Sequence, residues 1–235
     1  MAAGYDTAAR HIHLYYIQMQ DIILDLLPGG EEADFLLVDA GAGSGRLAER
    51  FLERFVGARA LLVDRSEAFL ALARRRLEPH GNRAAFHLAR LEDDWTARLA
   101  RPPRAIVSMS AVHHLDSDQK QDFYRRCYEA LEPGGVLING DEVRATNDMA
   151  YLEQLKTWVA HMQRVMDLGL VPDAMCQALR DWESRNVGRF DRPCTSGDDC
   201  HETVDAQLVY FTACGFAEVD MPWQKEMWAI LRGRK

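Results

Sequence analysis

The sequence predicts an α/β fold: a Rossmann-like seven-stranded sheet, mostly parallel with an antiparallel last strand, helices on both faces, and a helical cap. Two observations carry this prediction. Short apolar runs alternate with segments of helical periodicity through the first two thirds of the chain. A glycine-rich loop, VDAGAGSG at residues 38–45, directly follows the first apolar run and precedes a helix.

Apolar runs rich in Val, Ile and Leu predict the strands. Five of them alternate with helices, an order that favours a parallel sheet. Two more runs follow near the end of the chain and are expected to close the sheet. The predicted strands are residues 35–39, 60–64, 85–91, 104–110, 136–141, 216–221 and 226–231.

Apolar residues at helical spacing fill the segments between the strands. Ser66 is suited to cap one helix, and Ser117 or Asp118 to cap a later one, because short polar side chains bind the exposed N–H groups of a first turn. The predicted helices are residues 46–55, 66–77, 95–99, 117–131 and 202–214.

Two further helical stretches lie outside the alternating pattern, at residues 5–27 and 147–190. We expect residues 1–235 to form a single domain. Residues 1–30 are predicted to form an N-terminal helical lid, and residues 146–200 a helical insertion or cap.

Composition limits the partners. The chain has 235 residues and a net charge of −8, whereas a nucleic-acid binder normally shows a basic face, so large nucleic acids are disfavoured. The apolar runs are too short to predict a membrane span. The five cysteines form no even framework, which favours reduced thiols and a cytoplasmic location. A small-molecule partner is expected, and a homodimer is left open.

The glycine loop predicts a nucleotide pocket, with unpaired N–H groups and the positive helix end facing the ligand. A dinucleotide fold places a third small residue where this chain has Arg46, so that pattern fails. The spacing is instead Asp39, then Gly41-x-Gly43-x-Gly45.

This spacing resembles the first motif of the class I S-adenosylmethionine-dependent methyltransferases. Residues 108–115, SMSAVHHL, and residues 131–137, LEPGGVL, resemble later motifs of the same family. The resemblance covers about residues 35–142 in order and spacing. It implies that the cofactor is S-adenosyl-L-methionine, with no pyrophosphate for the glycines to hold.

The resemblance also implies a set of cofactor-binding residues. Asp64 ends the second strand, where a carboxylate can accept hydrogen bonds from both ribose hydroxyls. A tyrosine at the place aligned with Tyr16 contacts the cofactor in similar proteins. The full implied set is Asp39, Gly41, Ala42, Gly43, Gly45, Asp64, Arg65, Leu91, Ser110 and Tyr16.

The adenine contact is not fixed by the sequence. Arg90-Leu91 falls where the family often has Asp-Leu. Either Arg90 stacks on the base or points away, or Glu92 or Asp93 binds the adenine amino group. These acids could equally cap the next helix.

Candidate catalytic residues follow the fourth strand. Because histidine titrates near neutrality, His113 and His114 are the best candidates for a general base. The resemblance favours His114, and it pairs that position with a lid tyrosine, for which Tyr5 is the candidate. Asp141 and Glu142 could bind a cationic group of the substrate or only cap the turn.

A cysteine-rich stretch, CTSGDDCH at residues 194–201, offers two thiols and an imidazole. Cys194, Cys200 and His201 lack an apparent fourth ligand, and their spacing is not that of a zinc finger. We therefore predict no metal there and interpret the stretch as a surface loop.

The sequence thus predicts an enzyme that transfers a methyl group from S-adenosylmethionine to a small molecule. Three alternatives stay open: an enzyme that modifies a tRNA nucleoside, one that makes a carboxylated form of the cofactor, or a non-catalytic S-adenosylmethionine-binding protein.

Overall fold

Seven strands form one sheet in a computed structural model that describes residues 2–192 and 198–235. They are β1 (Leu36–Ala40), β2 (Arg59–Asp64), β3 (Ala84–Leu88), β4 (Ala105–Met109), β5 (Val136–Glu142), β6 (Ala217–Lys225) and β7 (Trp228–Arg234). Their order is β3-β2-β1-β4-β5-β7-β6. The first five strands are parallel, and β7 runs antiparallel to both β5 and β6. The predicted sheet is confirmed.

Eight helices surround the sheet in the described part of the chain: α1 (Ala2–Ile12), α2 (Tyr16–Asp25), α3 (Arg46–Arg54), α4 (Glu67–Arg76), α5 (Ser117–Ala130), α6 (Asp148–Asp167), α7 (Asp173–Asn186) and α8 (Val204–Ala213). Helices α5 and α8 contribute buried side chains to one core, and the other six contribute to the core on the opposite face. Among the described helices, none combines the length and apolar character that a membrane crossing requires.

Both long helical predictions were wrong in one respect: each stretch is two helices. The first is interrupted at residues 13–15, where the His13 side chain turns toward Glu142. The second is interrupted before Pro172, where Gly169 adopts a φ of 67°. A left-handed glycine and a following proline end helices because neither continues the α conformation cheaply.

Two local boundaries also differ from the prediction. Helix α5 is capped by Asp116, not by Ser117 or Asp118, because Asp116 and Gln119 exchange hydrogen bonds in a capping box. Strand β3 ends at Leu88 because its partner β2 ends at Asp64, so residues 89–91 have no strand to pair with. Ser66 caps α4, as predicted.

Gly45 explains how tightly α3 and α4 pack on the sheet. It caps α3 with a φ of 78°, and a Cβ added there would lie 3.1 Å from both the Ala73 Cβ and the Leu62 Cδ2. Ala73 belongs to α4 and Leu62 to β2, so the bare backbone of Gly45 lies against both neighbours. Only glycine fits this position without displacing one of them.

We expect Gly45→Ala to lower the free energy of unfolding by about 2–4 kcal/mol, combining left-handed backbone strain with overpacking. Gly134→Ala is the matched control, since Gly134 has a φ of 79° with no atom within 4 Å of an added Cβ. The control retains only the backbone cost, about 1–2 kcal/mol. Urea denaturation measures both, and equal losses would contradict the packing role.

Candidate functional site

A cavity of about 620 Å³ lies at the carboxyl ends of β1, β2 and β4. Ligands bind at this edge of open α/β sheets, because the loops that follow the strands diverge there. Nine of the ten predicted cofactor residues line it: Asp39, Gly41, Ala42, Gly43, Asp64, Arg65, Leu91, Ser110 and Tyr16. Gly45 is not among the lining residues, and it has the packing role described above.

The glycine loop is fastened to the end of β2. The N–H groups of Gly41 and Ala42 both donate to the Val63 carbonyl, at 2.8 and 3.1 Å. The Gly43 N–H donates to Asp64 Oδ2 at 2.8 Å. The expectation that these N–H groups face the ligand unpaired was therefore wrong, because they hold the loop in place instead. The loop leaves space for a ligand rather than supplying these three donors.

The first two glycines of the motif are required for different reasons. A Cβ on Gly41 would lie 2.3 Å from the Ala111 Cβ, so Gly41 lets the β1 loop cross the loop after β4. Gly43 adopts a φ of 54°, and no protein atom lies within 4 Å of where its Cβ would be. Since Gly43 lines the cavity, that open space is the cavity itself.

Two carboxylates lie on the cavity wall. Asp64 Oδ1 accepts the Ser66 N–H at 2.8 Å, while its other oxygen holds Gly43. Asp39 is buried, and its Oδ2 has no hydrogen-bond partner among the described residues. Burial, with the nearby charge of Asp64, raises the pKa of Asp39 to about 7. A buried polar atom without a partner is costly, so this wall is suited to a ligand that donates hydrogen bonds.

Helix α1 covers the cavity and is tied to the glycine-loop region by one acid. The Asp6 carboxylate accepts hydrogen bonds from Arg46 at 2.8 Å, from Arg76 at 2.9 Å and from the Ser44 hydroxyl. These partners lower the pKa of Asp6 although partial burial opposes that shift. Arg46, which breaks the dinucleotide pattern, is thus an anchor for the helix above the cavity.

The predicted lid tyrosines both line the cavity. The Tyr5 hydroxyl lies 2.9 Å from His13 Nε2, and its ring packs edge-on against Phe69. Burial, reinforced by nearby negative charge, raises the pKa of Tyr5 far above its ordinary value, so its hydroxyl stays protonated. Burial also raises the pKa of Tyr16. The catalytic assignment of Tyr5 stays a prediction, and the structure makes it a neutral wall of the cavity.

The alternatives at the adenine position are separated by geometry. The Arg90 side chain is 55% exposed and pairs with Glu92 at 2.8 Å, and Arg90 is not among the residues that line the cavity. Asp93 accepts the Arg90 N–H at 3.1 Å within the loop. Glu92 and Leu91 line the cavity, whereas Arg90 and Asp93 do not, and contact of Glu92 with adenine stays a prediction.

Ser110 occupies a strained position at the end of β4. Its φ is 51°, which few residues other than glycine adopt and which costs of order 1–3 kcal/mol. Its hydroxyl donates to Glu142 Oε1 at 3.2 Å, and its N–H donates to the Gly140 carbonyl. Such strain persists only where surrounding contacts hold it, and it concentrates at functional sites.

His114 follows in a short 3₁₀ turn and is the histidine that lines the cavity. Its side chain is 38% exposed, and its buried Nδ1 lies 3.2 Å from Asp199 Oδ1. The second oxygen of Asp199 accepts hydrogen bonds from Trp182 and, at 3.1 Å, from Asn186. Burial opposes the charge on Asp199, but the surrounding histidines outweigh it and hold its pKa well below the usual range.

His113 is buried and held by two acids. Its Nδ1 lies 2.6 Å from Asp141 Oδ1 and 3.0 Å from Glu142 Oε2, and its N–H donates to Asp141 Oδ2. Glu142 also lies 3.2 Å from His13 Nδ1. Despite burial, the two carboxylates raise the pKa of His113 well above its usual value.

Asp141 and Glu142 are therefore not in a position to bind a cationic substrate in the cavity. Neither residue lines the cavity, and both carboxylates lie against His113 Nδ1. The other alternative, capping of the turn, fits Asp141, which accepts a backbone N–H of the 3₁₀ turn. The positive and negative charges buried here compensate one another. A single unpaired charge at this position would carry a large desolvation cost.

Residues 198–201, the part of the cysteine-rich stretch that the structure describes, do not form a surface loop. The Cys200 N–H donates to the His113 carbonyl at 2.6 Å, and the buried Lys120 donates to the Cys200 carbonyl. His201 pairs with the Tyr151 hydroxyl at 2.6 Å, and burial, with the charge of His113, lowers the pKa of His201 to about 4. Cys194 lies outside the described residues.

Sequence reasoning missed Asp199 and Asp6. Asp199 lies far along the chain from His114, and a pair of acids beside Cys-His gave only a weak signal. A more useful signal was available, because a base histidine is usually oriented by an acid, so each unassigned acid was a candidate. Asp6 could not have been found, since its partners are set by how α1 packs.

Comparisons with known proteins agree with this architecture. Residues 37–135 match the family model described as a methyltransferase domain. The uncharacterized methyltransferase OB1106 of Oceanobacillus iheyensis is 25% identical over 120 residues, which cover 50% of this chain and 52% of that protein. Ribosomal RNA small subunit methyltransferase H of Mycolicibacterium smegmatis is 38% identical over 134 residues, 55% of this chain and 35% of that one. The chain thus matches about half or less of the length of these relatives.

Among solved structures, human N-acetylserotonin methyltransferase in complex with S-adenosylmethionine superposes with a TM-score of 0.59 at 13% identity, covering 98% of this chain and 57% of that one. At such low identity the similarity concerns the fold. The matched family model spans the glycine loop, the first four strands and the histidine turn. With the strand order and the motif order, this match supports a class I S-adenosylmethionine-dependent methyltransferase domain over residues 37–135.

Proposed function

We propose that this protein transfers the methyl group of S-adenosylmethionine to a small-molecule acceptor in the cavity under α1. The observation that carries this proposal is the pairing of a covered cavity of about 620 Å³ with a histidine on its wall. Cavities of roughly 300–1,000 Å³ are typical of small-molecule sites. The cofactor supplies a methyl group activated by its positive sulfonium.

The residues present fit this cofactor. Asp39 offers a buried oxygen without a partner, and Asp64 keeps acceptor capacity on both oxygens beyond its two backbone hydrogen bonds. The hydrogen-bond donors of the cofactor are its ribose hydroxyls and its ammonium group, which suit such acceptors. The open side of Gly43 admits the cofactor where a side chain would block it.

A small acceptor is favoured over a macromolecule by the cover of the cavity. Tyr5 and Asp6 on α1 and Met175 on α7 form part of its wall, and α1 packs against α6 and α7. An RNA or a folded protein would have to displace these helices to reach His114. The net charge of −8 also disfavours an RNA substrate, although one relative methylates ribosomal RNA by name.

In this proposal His114 acts as the general base. Asp199 lies against Nδ1, so the carboxylate favours the tautomer with the proton on that nitrogen, and Nε2 keeps the lone pair that accepts a proton. The 3.2 Å pair lacks an aligned hydrogen bond among the described residues, but such pairs often tighten only when substrate binds. A deprotonated hydroxyl or amine is then held close to the methyl group, and alignment supplies much of the rate.

The direct test of this function has two steps. Mass spectrometry of the purified protein should find retained S-adenosylmethionine or S-adenosylhomocysteine. Incubation with S-adenosylmethionine and fractionated metabolites should then release S-adenosylhomocysteine. If release required an RNA or a protein fraction instead, the small-molecule proposal would be wrong. A protein that retains the cofactor and turns over no fraction would favour a non-catalytic binding role.

Cofactor binding should depend on the open backbone at Gly43. We expect Gly43→Val to abolish S-adenosylmethionine binding in calorimetry, because the side chain would enter the cavity. Gly134→Val carries the same kind of backbone strain just before the amino end of β5, whereas the cavity lies at the carboxyl ends of the strands. This variant should bind the cofactor like wild type. An unchanged affinity in folded Gly43→Val would remove the loop from the cofactor site.

Replacing His114 should separate chemistry from binding. We expect His114→Ala to lower kcat by roughly 10²–10⁴ and to remove the acidic limb of the pH profile, since a positioned acid–base group is lost. The dissociation constant for S-adenosylmethionine should change little. Equal losses of binding and turnover would make His114 a structural residue of the pocket. His113→Ala is unsuitable as a control, because it would leave Asp141 and Glu142 buried without their cation.

A further inference from the structure

Three metal-ligating side chains converge beside the cavity: His113, His114 and Asp199. Asp199 Oδ1 lies 3.2 Å from His114 Nδ1 and 3.8 Å from His113 Nε2. Metal–ligand bonds of about 2.0–2.2 Å at tetrahedral angles place ligand atoms about 3.4 Å apart. The two separations bracket that value, and one ligand atom from each of the three residues lies within 4.8 Å of the others, so one ion could contact all three after the side chains move closer.

The atoms that surround these three groups are those that a metal site needs. His113 turns its other nitrogen to Asp141 at 2.6 Å, as metal-bound histidines commonly turn theirs to a carboxylate. The outer oxygen of Asp199 is held by Trp182 and Asn186. Nδ1 of His114 is buried and makes no aligned hydrogen bond among the described residues. Neighbours therefore hold His113 and Asp199 in place, and Nδ1 of His114 lies beside them without an aligned hydrogen bond of its own.

We propose that His113 Nε2, His114 Nδ1 and Asp199 Oδ1 bind one divalent transition-metal ion, with zinc as the probe ion. Two imidazoles and one carboxylate suit zinc and its neighbours in the first transition row, and they leave a position open. Binding displaces the Nε2 proton of the charged His113 to solvent, so the ion replaces one positive charge and adds one more. The carboxylates of Asp141, Glu142 and Asp199 lie around these histidines and balance that charge.

A second grouping, His113 with Asp141 and Glu142, is less suited to an ion. In that grouping the nitrogen is His113 Nδ1, which lies 2.6 Å from Asp141 and 3.0 Å from Glu142. These are hydrogen-bond distances, so a proton rather than a metal ion suits the space between the atoms. All three side chains are buried, with no member on the cavity wall. These acids serve better as the groups that orient His113.

Metal binding and base function at His114 exclude each other. An ion on Nδ1 takes that lone pair, and the ring proton moves to Nε2, so Nε2 becomes a donor and cannot accept a proton from the acceptor. Zinc therefore inhibits methyl transfer without displacing the cofactor. This exclusion rests on the proposed function, whereas binding of the ion does not.

Calorimetry tests the site on the full chain, stripped with a chelator, reduced, and free of cofactor. Zinc should bind one per chain, and Asp199→Asn and His114→Ala should each weaken it by at least about tenfold, as loss of metal-site groups typically does. Asp198→Asn, the adjacent exposed acid, is the matched control and should bind like wild type. Circular dichroism checks that each variant is folded.

Two results would overturn the site: no zinc binding in the wild-type chain, or binding that neither variant weakens. The second result would assign the ion to other groups, such as the thiols of Cys127, Cys176 and Cys214. A separate assay tests the exclusion, because saturating zinc should stop turnover of an identified acceptor and a chelator should restore it. Unchanged turnover with zinc bound would refute the exclusion alone, and absence of any turnover would refute the proposed function while calorimetry still decides the site.

Discussion

The hydrogen bonds that fasten the glycine loop to the end of β2 organise the whole site. Val63 and Asp64 accept the loop N–H groups, and Asp64 also accepts the N–H of Ser66, the cap of α4. One carboxylate thus fixes the exit of β1 and the start of the helix after β2. It also places a negative charge near Asp39, whose pKa rises to about 7 through burial and that charge. The cavity keeps its shape because the N–H groups of the glycine loop are hydrogen-bonded within the protein and do not need a ligand as a partner.

The cover of the cavity joins distant parts of the chain. Asp6 ties α1 to Arg46 and Arg76, while Trp158 and His161 of α6 bond to backbone carbonyls at the end of α1. Ion pairs on a surface contribute little, but these groups are partly buried and Asp6 accepts several donors at once. The position of α1 over the cavity therefore depends on contacts from α3, α4 and α6.

The two adjacent histidines have opposite environments, although one short turn carries both. His113 faces the protein interior and holds a positive charge between Asp141 and Glu142, while His114 faces the cavity beside Asp199. The buried cation fixes the turn, and the fixed turn places His114. Asp199 touches both rings from the loop before α8, so this loop completes a site that the sheet begins.

The sequence by itself determined the sheet, because strand and helix periodicities and the glycine loop are local patterns that burial then enforces. Its resemblance to a known family also identified nine residues of the cavity wall. Most of them follow strand ends, which meet at one edge of a parallel sheet. Only the tertiary structure decided the rest. Periodicity cannot show where an amphipathic segment bends, so the breaks after α1 and α6 were missed. The position of Glu92 rather than Arg90 on the cavity wall, and the pairing of His114 with Asp199, depended on side-chain directions and long-range packing that no local pattern encodes.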